Sequence, residues 1–125
     1  MFELMGKKLK QRLFLGTAGY PSLQSLKNSI LDSKTEVVTV SLRRSLTTDA
    51  KNHSGNKFFK TLKELPIQLL PNTAGCMSAK EAITTAKMAR EIFETNWIKL
   101  EVIGNQDTLQ PDPFGLVDAA ETLIN

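Results

Sequence analysis

Short apolar runs alternate along this chain with longer segments of helical period, and each kind of segment predicts its own element. The run Val37-Val38-Thr39-Val40 is β-branched and predicts a buried strand. A helix face is predicted where apolar residues recur three or four positions apart, as at Leu23, Leu26, Ile30 and Leu31. A repeated order of strand and then helix is typical of α/β proteins with a parallel sheet. The pattern therefore predicts parallel β/α units.

Four such units are predicted to follow a short N-terminal hairpin. The hairpin occupies residues 1–10, with Met5-Gly6 at its turn. The strands are predicted at residues 12–16, 37–42, 67–70 and 96–103. The helices are predicted to follow Ser22, to span residues 57–65, to follow Ser78, and to follow Asp112-Pro113. Residues 45–56 are polar and predict an irregular segment.

The last two helices have the clearest start signals. Ser78 and Glu81 have the spacing of a capping box, and an apolar stripe follows at Ala82, Ile83, Ala86 and Ala89. Asp112 precedes a proline and predicts the N-terminus of the last helix. The apolar face of that helix is predicted to be Leu116, Val117, Ala120 and Ile124.

The length and the order of elements limit the architecture. With 125 residues and 41% hydrophobic composition, the chain can bury one core, so residues 1–125 are predicted to form one domain. Four β/α units make half of a TIM-type (β/α)₈ barrel. An open four-stranded α/β sheet is the other geometry.

The charge distribution argues against nucleic-acid binding. The net charge is +3, and the first twelve residues supply that excess through Lys7, Lys8, Lys10 and Arg12 against Glu3. The aromatic residues are scattered along the chain and are not interleaved with the cations. No segment has the length or the apolar character of a membrane span or of a signal peptide. We therefore predict no nucleic acid and no membrane partner.

The metal-binding and thiol residue types are sparse. Cys76 is the only cysteine, which excludes an internal disulfide and fits a cytoplasmic setting. His53 is the only histidine and lies in the polar segment, so a histidine metal cluster or a Ser-His-Asp triad is poorly supported. We predict no metal site and no cofactor. Cys76 itself precedes a helix start, a position where a thiol can be reactive. A small buried hydrophobe is the simpler interpretation.

Lys99 is the strongest candidate for chemistry. Strand side chains alternate faces, so Lys99 and Glu101 share one face, while Leu100 and Val102 share the other. A charged pair inside a covered strand is costly unless it is paired or used. Burial favours a neutral amine that can attack a carbonyl, and Glu101 can move the protons that imine formation requires. The alternative is an ordinary ion pair on a half-exposed strand.

Three other segments are weaker candidates. The turns at residues 16–19 and 72–75 lie where parallel strands end and can face a ligand, although each also fits a plain turn. Arg43 and Arg44 can bind a phosphate, but two arginines at a strand end are more often solvated.

Several blocks together resemble bacterial thiazole synthases of thiamine biosynthesis. They are Arg-Leu-Phe-Leu-Gly-Thr at residues 12–17, Leu-Pro-Asn-Thr-Ala-Gly at 70–75, Ala-Lys-Glu-Ala at 79–82, Asn-Trp-Ile-Lys-Leu-Glu-Val-Ile-Gly at 96–104 and Leu-Gln-Pro-Asp-Pro at 109–113. The blocks run in order along the whole chain. The resemblance departs at residues 16–20, where Gly-Thr-Ala-Gly-Tyr replaces the usual Gly-Thr-Gly, and at residues 45–56, which do not align.

The resemblance implies a fold, a reaction and partners. The family forms (β/α)₈ barrels that condense 1-deoxy-D-xylulose 5-phosphate, dehydroglycine and a sulfur-carrier protein thiocarboxylate into the thiazole phosphate precursor of thiamine. It implies that Lys99 forms the imine, that Glu101 is an acid/base residue, and that the protein forms homo-oligomers.

Members of that family are about twice as long as this chain. We therefore expect the N-terminal half of a barrel, without the phosphate-binding loops of the other half. Two alternatives remain open. One is a non-catalytic module that docks the sulfur-carrier protein or a full-length synthase, and the other is half of a different Schiff-base, aldolase-like barrel.

Overall fold

The fold is taken from a computed structural model that describes residues 1–42 and 54–125. Arg43, Arg44 and His53, which the sequence raised as candidates, lie outside the described residues. The chain divides into two compact units, Met1–Leu69 and Leu70–Asn125. Within the described ranges, no helix has both the length and the apolar character needed to cross a membrane.

The first unit begins with the predicted hairpin. Strand β1 (Phe2–Leu4) pairs antiparallel with β2 (Lys7–Leu9). Met5 and Gly6 both have positive φ angles, 48° and 74°, as a tight two-residue hairpin turn requires. Leu9 is completely buried and anchors the hairpin. The prediction of a hairpin turning at Met5-Gly6 is therefore confirmed.

A carboxylate ties the end of the hairpin to the following sheet. The Glu36 side chain accepts hydrogen bonds from the backbone N–H groups of Gln11 and Lys10. These two bonds, that of Gln11 first, lower the pKa of Glu36 below its ordinary value because they favour the ionised carboxylate.

The parallel sheet of the first unit is built on a strand that is covered on both faces. Strand β3 (Phe14–Leu15) runs parallel to β4 (Val37–Ser41), and the next strand in the sheet is β5 (Gln68–Asn72). The neighbouring residues Val37 and Val38 point to opposite faces and are both fully buried. Strand β3 is shorter than predicted, and the Leu13 carbonyl just before it accepts a hydrogen bond from the Thr35 hydroxyl.

Helix α1 (Leu23–Ser33) begins as predicted. The Ser22 hydroxyl accepts the Ser25 N–H at 3.0 Å, and Leu26 and Ile30 are buried. Leu31 is exposed, so its predicted place in the core was wrong. It lies about 100° around the helix from Ile30. Helix α2 (Ser54–Lys63) packs against α1 and begins three residues before the predicted start.

The second unit contains β5 from Leu70 onward and two helices that pack together, α3 (Ala79–Phe93) and α4 (Pro113–Ile124). The Ser78 hydroxyl accepts the Glu81 N–H at 3.2 Å, and the Glu81 carboxylate accepts the Met77 N–H at 3.0 Å. This confirms the predicted helix start, although the carboxylate bonds one residue before the cap. The buried stripe of α3 consists of Ala82, Ala86, Ala89 and Phe93.

The apolar face predicted for α4 was partly wrong. Ala119 is fully buried, and Leu116 packs beside it against a core that includes Ala82 and Val102. Val117 and Ile124, which were predicted to be buried, are 57% and 83% exposed. The helix is therefore rotated so that Ala119 and Leu116 face the core that includes Ala82 of α3. Periodicity could not reveal this rotation because α4 is apolar on most of its circumference.

The N-terminus of α4 yields a stability prediction. Oδ1 of Asp112 accepts the N–H groups of Phe114 and Gly115 at 3.1 and 3.0 Å. A Cβ atom at Gly115 would lie 2.7 Å from Asp112 Oδ2, so Gly115→Ala must displace the capping carboxylate. We expect this variant to lower the free energy of unfolding by about 1–3 kcal/mol. Urea denaturation measures the change.

The matched control is Gly16→Ala. Among the described residues, a Cβ atom at Gly16 meets only Thr39 Oγ1, at an ordinary 3.6 Å. This substitution is expected to leave the unfolding free energy within about 1 kcal/mol of the parent value. Equal losses of stability in the two variants would contradict the capping argument.

Candidate active site

The candidate site is built on the segment that contains Lys99, within the second unit. Its backbone runs beside the end of β5: the Lys99 N–H donates to the Pro71 carbonyl at 2.8 Å, and the Thr73 N–H donates to the Lys99 carbonyl at 3.3 Å. Further along, the Ile103 N–H donates to the Cys76 carbonyl at 2.8 Å. The segment is therefore held in the extended form next to β5.

This segment was predicted to be a regular strand at residues 96–103, and that prediction was only partly right. Lys99 forms an isolated parallel bridge with Asn72, and Ile103 forms an isolated antiparallel bridge with Pro111. No continuous ladder forms because the neighbouring chain turns away after β5, where Gly75 has a φ of 84°. Side chains and turn carbonyls supply the hydrogen bonds that a neighbouring strand would otherwise give.

The alternation of side chains follows the prediction. Val102 is buried, and Leu100 packs with it on the side where Ala82 and Ala119 lie. Lys99 and Glu101 occupy the other face of the segment, since residues of odd and even number point to opposite sides of an extended chain. The apolar face is therefore used to dock helices α3 and α4, and the charged face is free for chemistry.

The two charged side chains meet on that face. Lys99 Nζ lies 3.5 Å from Glu101 Oε1, which is an ion-pair distance and is longer than a strong hydrogen bond. The carboxylate is thus next to the amine. It can accept a proton from the ammonium and return one to a bound group after a small movement of either side chain.

The predicted burial of Lys99 is wrong for this chain. The side chains of Lys99 and Glu101 are 52% and 37% exposed. Helices cover only the Leu100 and Val102 face within the described residues, so the amine remains in contact with solvent. Burial, which was the argument for a neutral amine, therefore does not apply here, and the carboxylate at 3.5 Å is the feature that remains.

The other candidates behave as structural elements. Asn72 Oδ1 accepts the Ala74 N–H at 3.1 Å and closes the turn after β5. Cys76 is buried, with its Sγ 3.5 Å from Thr85 Oγ1, which matches the small-hydrophobe interpretation. In residues 16–19, the Thr17 hydroxyl donates to the Thr39 carbonyl. Among the described residues, no group of three or more His, Cys, Asp or Glu side chains is placed to hold a metal ion.

One residue of the site was missed by sequence reasoning. Thr73 had been considered only as part of a turn, yet its side chain is fully buried. Its hydroxyl accepts the Glu101 N–H and donates to the Glu101 carbonyl, both at 2.7 Å. The available signal was a β-branched hydroxyl residue directly after an apolar strand, where a hydroxyl can replace a ladder partner.

Comparison with known proteins identifies the family. Residues 3–125 match the family described as "Thiazole biosynthesis protein ThiG". The chain belongs to this family. The family resemblance inferred from the sequence blocks is therefore confirmed.

Curated members of the ThiG family are similar over the whole chain. The thiazole synthase of Brucella anthropi is 56% identical over 125 residues, which is 100% of this chain and 48% of the relative. That of Allorhizobium ampelinum is 58% identical over 123 residues, covering 98% of this chain and 47% of the relative. The chain thus spans about half the length of the curated relatives it matches.

A solved structure has a similar fold at lower identity. The crystal structure of the Amycolatopsis orientalis BexX/CysO complex matches with a TM-score of 0.68 and 20% sequence identity. The match covers 98% of this ThiG family chain and 48% of that chain. At this identity the likeness is evidence for the fold alone.

Proposed function

We propose that this chain carries the imine-forming part of a thiazole synthase. The reaction condenses 1-deoxy-D-xylulose 5-phosphate, dehydroglycine and the thiocarboxylate of a sulfur-carrier protein into the thiazole phosphate used for thiamine. The observation that carries the proposal is the Lys99–Glu101 pair, with its nitrogen and oxygen 3.5 Å apart on the face opposite the helices. Membership in the ThiG family supports the choice of reaction.

The first chemical step assigns a role to each side chain. The Lys99 ammonium gives a proton to Glu101, and the neutral Nζ attacks the ketone carbon C2 of the sugar phosphate. A carbon–nitrogen bond forms, and the Glu101 carboxylic acid gives its proton to the ketone oxygen. Glu101 then takes a second proton from the attacking nitrogen and passes it to the same oxygen, which leaves as water. The product is a protonated imine at Lys99. Its C3 proton is acidified and becomes available for the tautomerisation that precedes condensation.

The fold supports a barrel as the setting for this chemistry. The β3–β4 pair is parallel, helices follow the strands, and Lys99 lies on the face of its segment away from the helices. In a (β/α)₈ barrel that face is the interior, and catalytic side chains lie near the carboxyl ends of the strands. We propose that the chain forms half of such a barrel. Its exposed amine would then be enclosed by polypeptide equivalent to the other half of the relatives.

The remaining partners follow from the proposed reaction. A sulfur-carrier protein delivers the thiocarboxylate, and the protein assembles as a homo-oligomer in the cytoplasm, as the family resemblance implies. The family resemblance implies that the loops that bind the substrate phosphate lie in the half that this chain does not match. Binding of the sugar phosphate by this chain is accordingly expected to be weak, since phosphate contacts provide much of the positioning energy.

Reductive trapping tests the proposal directly. The chain is incubated with 1-deoxy-D-xylulose 5-phosphate and sodium cyanoborohydride, digested, and mapped by mass spectrometry. We expect the reduced adduct at Lys99 in preference to the exposed lysines of α3, Lys80 and Lys87. An adduct spread evenly over these lysines, or none at Lys99, would overturn the assignment of the imine to this residue.

A second candidate function is an interaction module, and an observation on α4 favours it. Phe114, Val117 and Ile124 are 87%, 57% and 83% exposed and lie along one side of the helix. Exposed apolar stripes of this kind are characteristic of interaction surfaces. Under this alternative, the chain docks the sulfur-carrier protein or a full-length synthase without catalysis. It predicts a stable complex with one of these proteins and no adduct at Lys99.

The third possibility is half of a different Schiff-base, aldolase-like barrel. It shares the Lys99 imine and differs only in the carbonyl substrate. Preferential trapping of another ketone or aldehyde at Lys99, under conditions where the deoxyxylulose phosphate is not trapped, would favour this alternative. Adduct mapping with the deoxyxylulose phosphate and with other carbonyl compounds therefore separates the two imine-forming functions. A binding measurement with the sulfur-carrier protein or a full-length synthase identifies the interaction module.

A further inference from the structure

We propose that Thr73 is a positioning residue that sets the geometry of the Lys99–Glu101 pair, an inference that rests on the proposed function of that pair. Thr73 is hydrogen-bonded to the backbone of both members. Its N–H donates to the Lys99 carbonyl at 3.3 Å. Its hydroxyl accepts the Glu101 N–H and donates to the Glu101 carbonyl, each at 2.7 Å.

The hydroxyl occupies a place that a strand backbone would normally fill. Along the segment, residue 99 bonds to the Pro71 carbonyl and residue 103 bonds to the Cys76 carbonyl. Between these two points the neighbouring chain has left β5 for its turn, and the Thr73 side chain supplies the partner for residue 101. Without the hydroxyl, the partly buried backbone N–H and carbonyl of Glu101 lose these bonds at the centre of the segment.

Threonine suits this position for two physical reasons. A hydroxyl can donate and accept at the same time, which both Glu101 bonds require and which no apolar side chain can do. Its β-branch restricts rotation about χ1, so the oxygen is held toward Glu101 with little loss of entropy. The Thr73 side chain is fully buried and the two hydrogen bonds are partly buried, which makes an unpaired hydroxyl, amide or carbonyl at this point costly.

The consequence is that the backbone positions from which the amine and the carboxylate extend are held relative to each other. Each side chain extends from a backbone position held by Thr73, so rotation of the Glu101 peptide would change the direction of its carboxylate relative to Lys99 Nζ. Proton transfer depends steeply on that alignment. Thr73 does not contact the reacting atoms itself, and its effect on the chemistry passes through Glu101.

The test compares Thr73→Val, which keeps the shape and removes the hydroxyl, with Thr73→Ser, which keeps the hydroxyl. In cyanoborohydride trapping with 1-deoxy-D-xylulose 5-phosphate, Thr73→Val is expected to slow adduct formation at Lys99 by about 10- to 100-fold. Thr73→Ser is expected to stay within about threefold of the parent rate because it retains both hydrogen bonds. Rescue by serine separates a hydroxyl effect from a general packing effect.

Thr85→Val is the matched control. It makes the same substitution at a partly buried threonine of α3 whose hydroxyl lies 3.5 Å from Cys76 Sγ, outside the pair. The trapping rate of this variant should equal that of the parent. Equal slowing in Thr73→Val and Thr85→Val, or equal rates in Thr73→Val and the parent, would overturn the proposal.

Hydrogen exchange provides a readout that does not depend on the reaction. The Glu101 amide of the parent protein should be protected to a similar extent as the Ile103 amide, which bonds to the Cys76 carbonyl. Protection at Glu101 should fall in Thr73→Val and persist in Thr73→Ser. If the parent gives no adduct at Lys99, the proposed function fails while exchange still reports on Thr73. If Thr73→Val does not fold, an unprotected Glu101 amide in the parent would overturn the positioning role.

Discussion

Replacing Lys99 with arginine is expected to abolish adduct formation with 1-deoxy-D-xylulose 5-phosphate. Arginine keeps the positive charge opposite Glu101, but its guanidinium does not lose a proton at accessible pH and so offers no nucleophilic nitrogen. No adduct should form at position 99, and the total yield should fall to that of the surface lysines. Mass spectrometry of the reduced, digested protein measures the result.

Lys87→Arg is the control for this experiment. Lys87 is exposed on α3, away from the Lys99–Glu101 pair. Its replacement makes the same change in side-chain chemistry as Lys99→Arg. Its adduct yield should match that of the parent. If the total adduct yield of Lys99→Arg equals that of the parent, the imine forms at another residue and the assignment of Lys99 is wrong. Circular dichroism of both variants establishes that the comparison is between folded proteins.

The features that sequence could predict are those determined by neighbouring residues. The hairpin turn at Met5-Gly6 and the helix starts at Ser22, Ser78 and Asp112 each depend on a few adjacent side chains and their own backbone. That Lys99 and Glu101 share one face could also be predicted from adjacent residues, because side chains alternate sides in any extended chain. These predictions required no knowledge of which elements pack together.

The features that sequence could not predict depend on what lies across from a residue. Lys99 is half exposed because, in the part of the chain that the structure describes, helices cover only the opposite face of its segment. The sequence pattern is the same whether the Lys99 face is covered or open. The orientation of α4 depends on Ala119 facing the core that includes Ala82 of α3. The role of Thr73 depends on residue 101 lying beside it, although the two are 28 positions apart in the chain.

Replacing Glu101 with glutamine is expected to slow imine formation without removing the nucleophile. Glutamine nearly preserves the size of the side chain but cannot exchange a proton with the amine 3.5 Å away or with the departing oxygen. General acid/base groups typically contribute about 10²- to 10⁴-fold, so we expect a loss in this range in the initial trapping rate at Lys99. Glu91→Gln, which removes an exposed carboxylate paired with Arg90, should leave the rate unchanged.

Chemical rescue separates proton transfer from simple ion pairing at Glu101. Because the pair is partly exposed, a small carboxylic acid such as formate can reach the space that Glu101→Ala opens beside Lys99. If Glu101 moves protons, added formate should restore part of the trapping rate of Glu101→Ala and leave Lys99→Arg inactive. If the carboxylate only holds the ammonium in place, formate should have no effect. If Glu101→Gln without formate traps the sugar at the parent rate, Glu101 neither moves protons nor holds the ammonium for the reaction. The pair is then an ordinary surface ion pair, which typically contributes about 0–1 kcal/mol to stability.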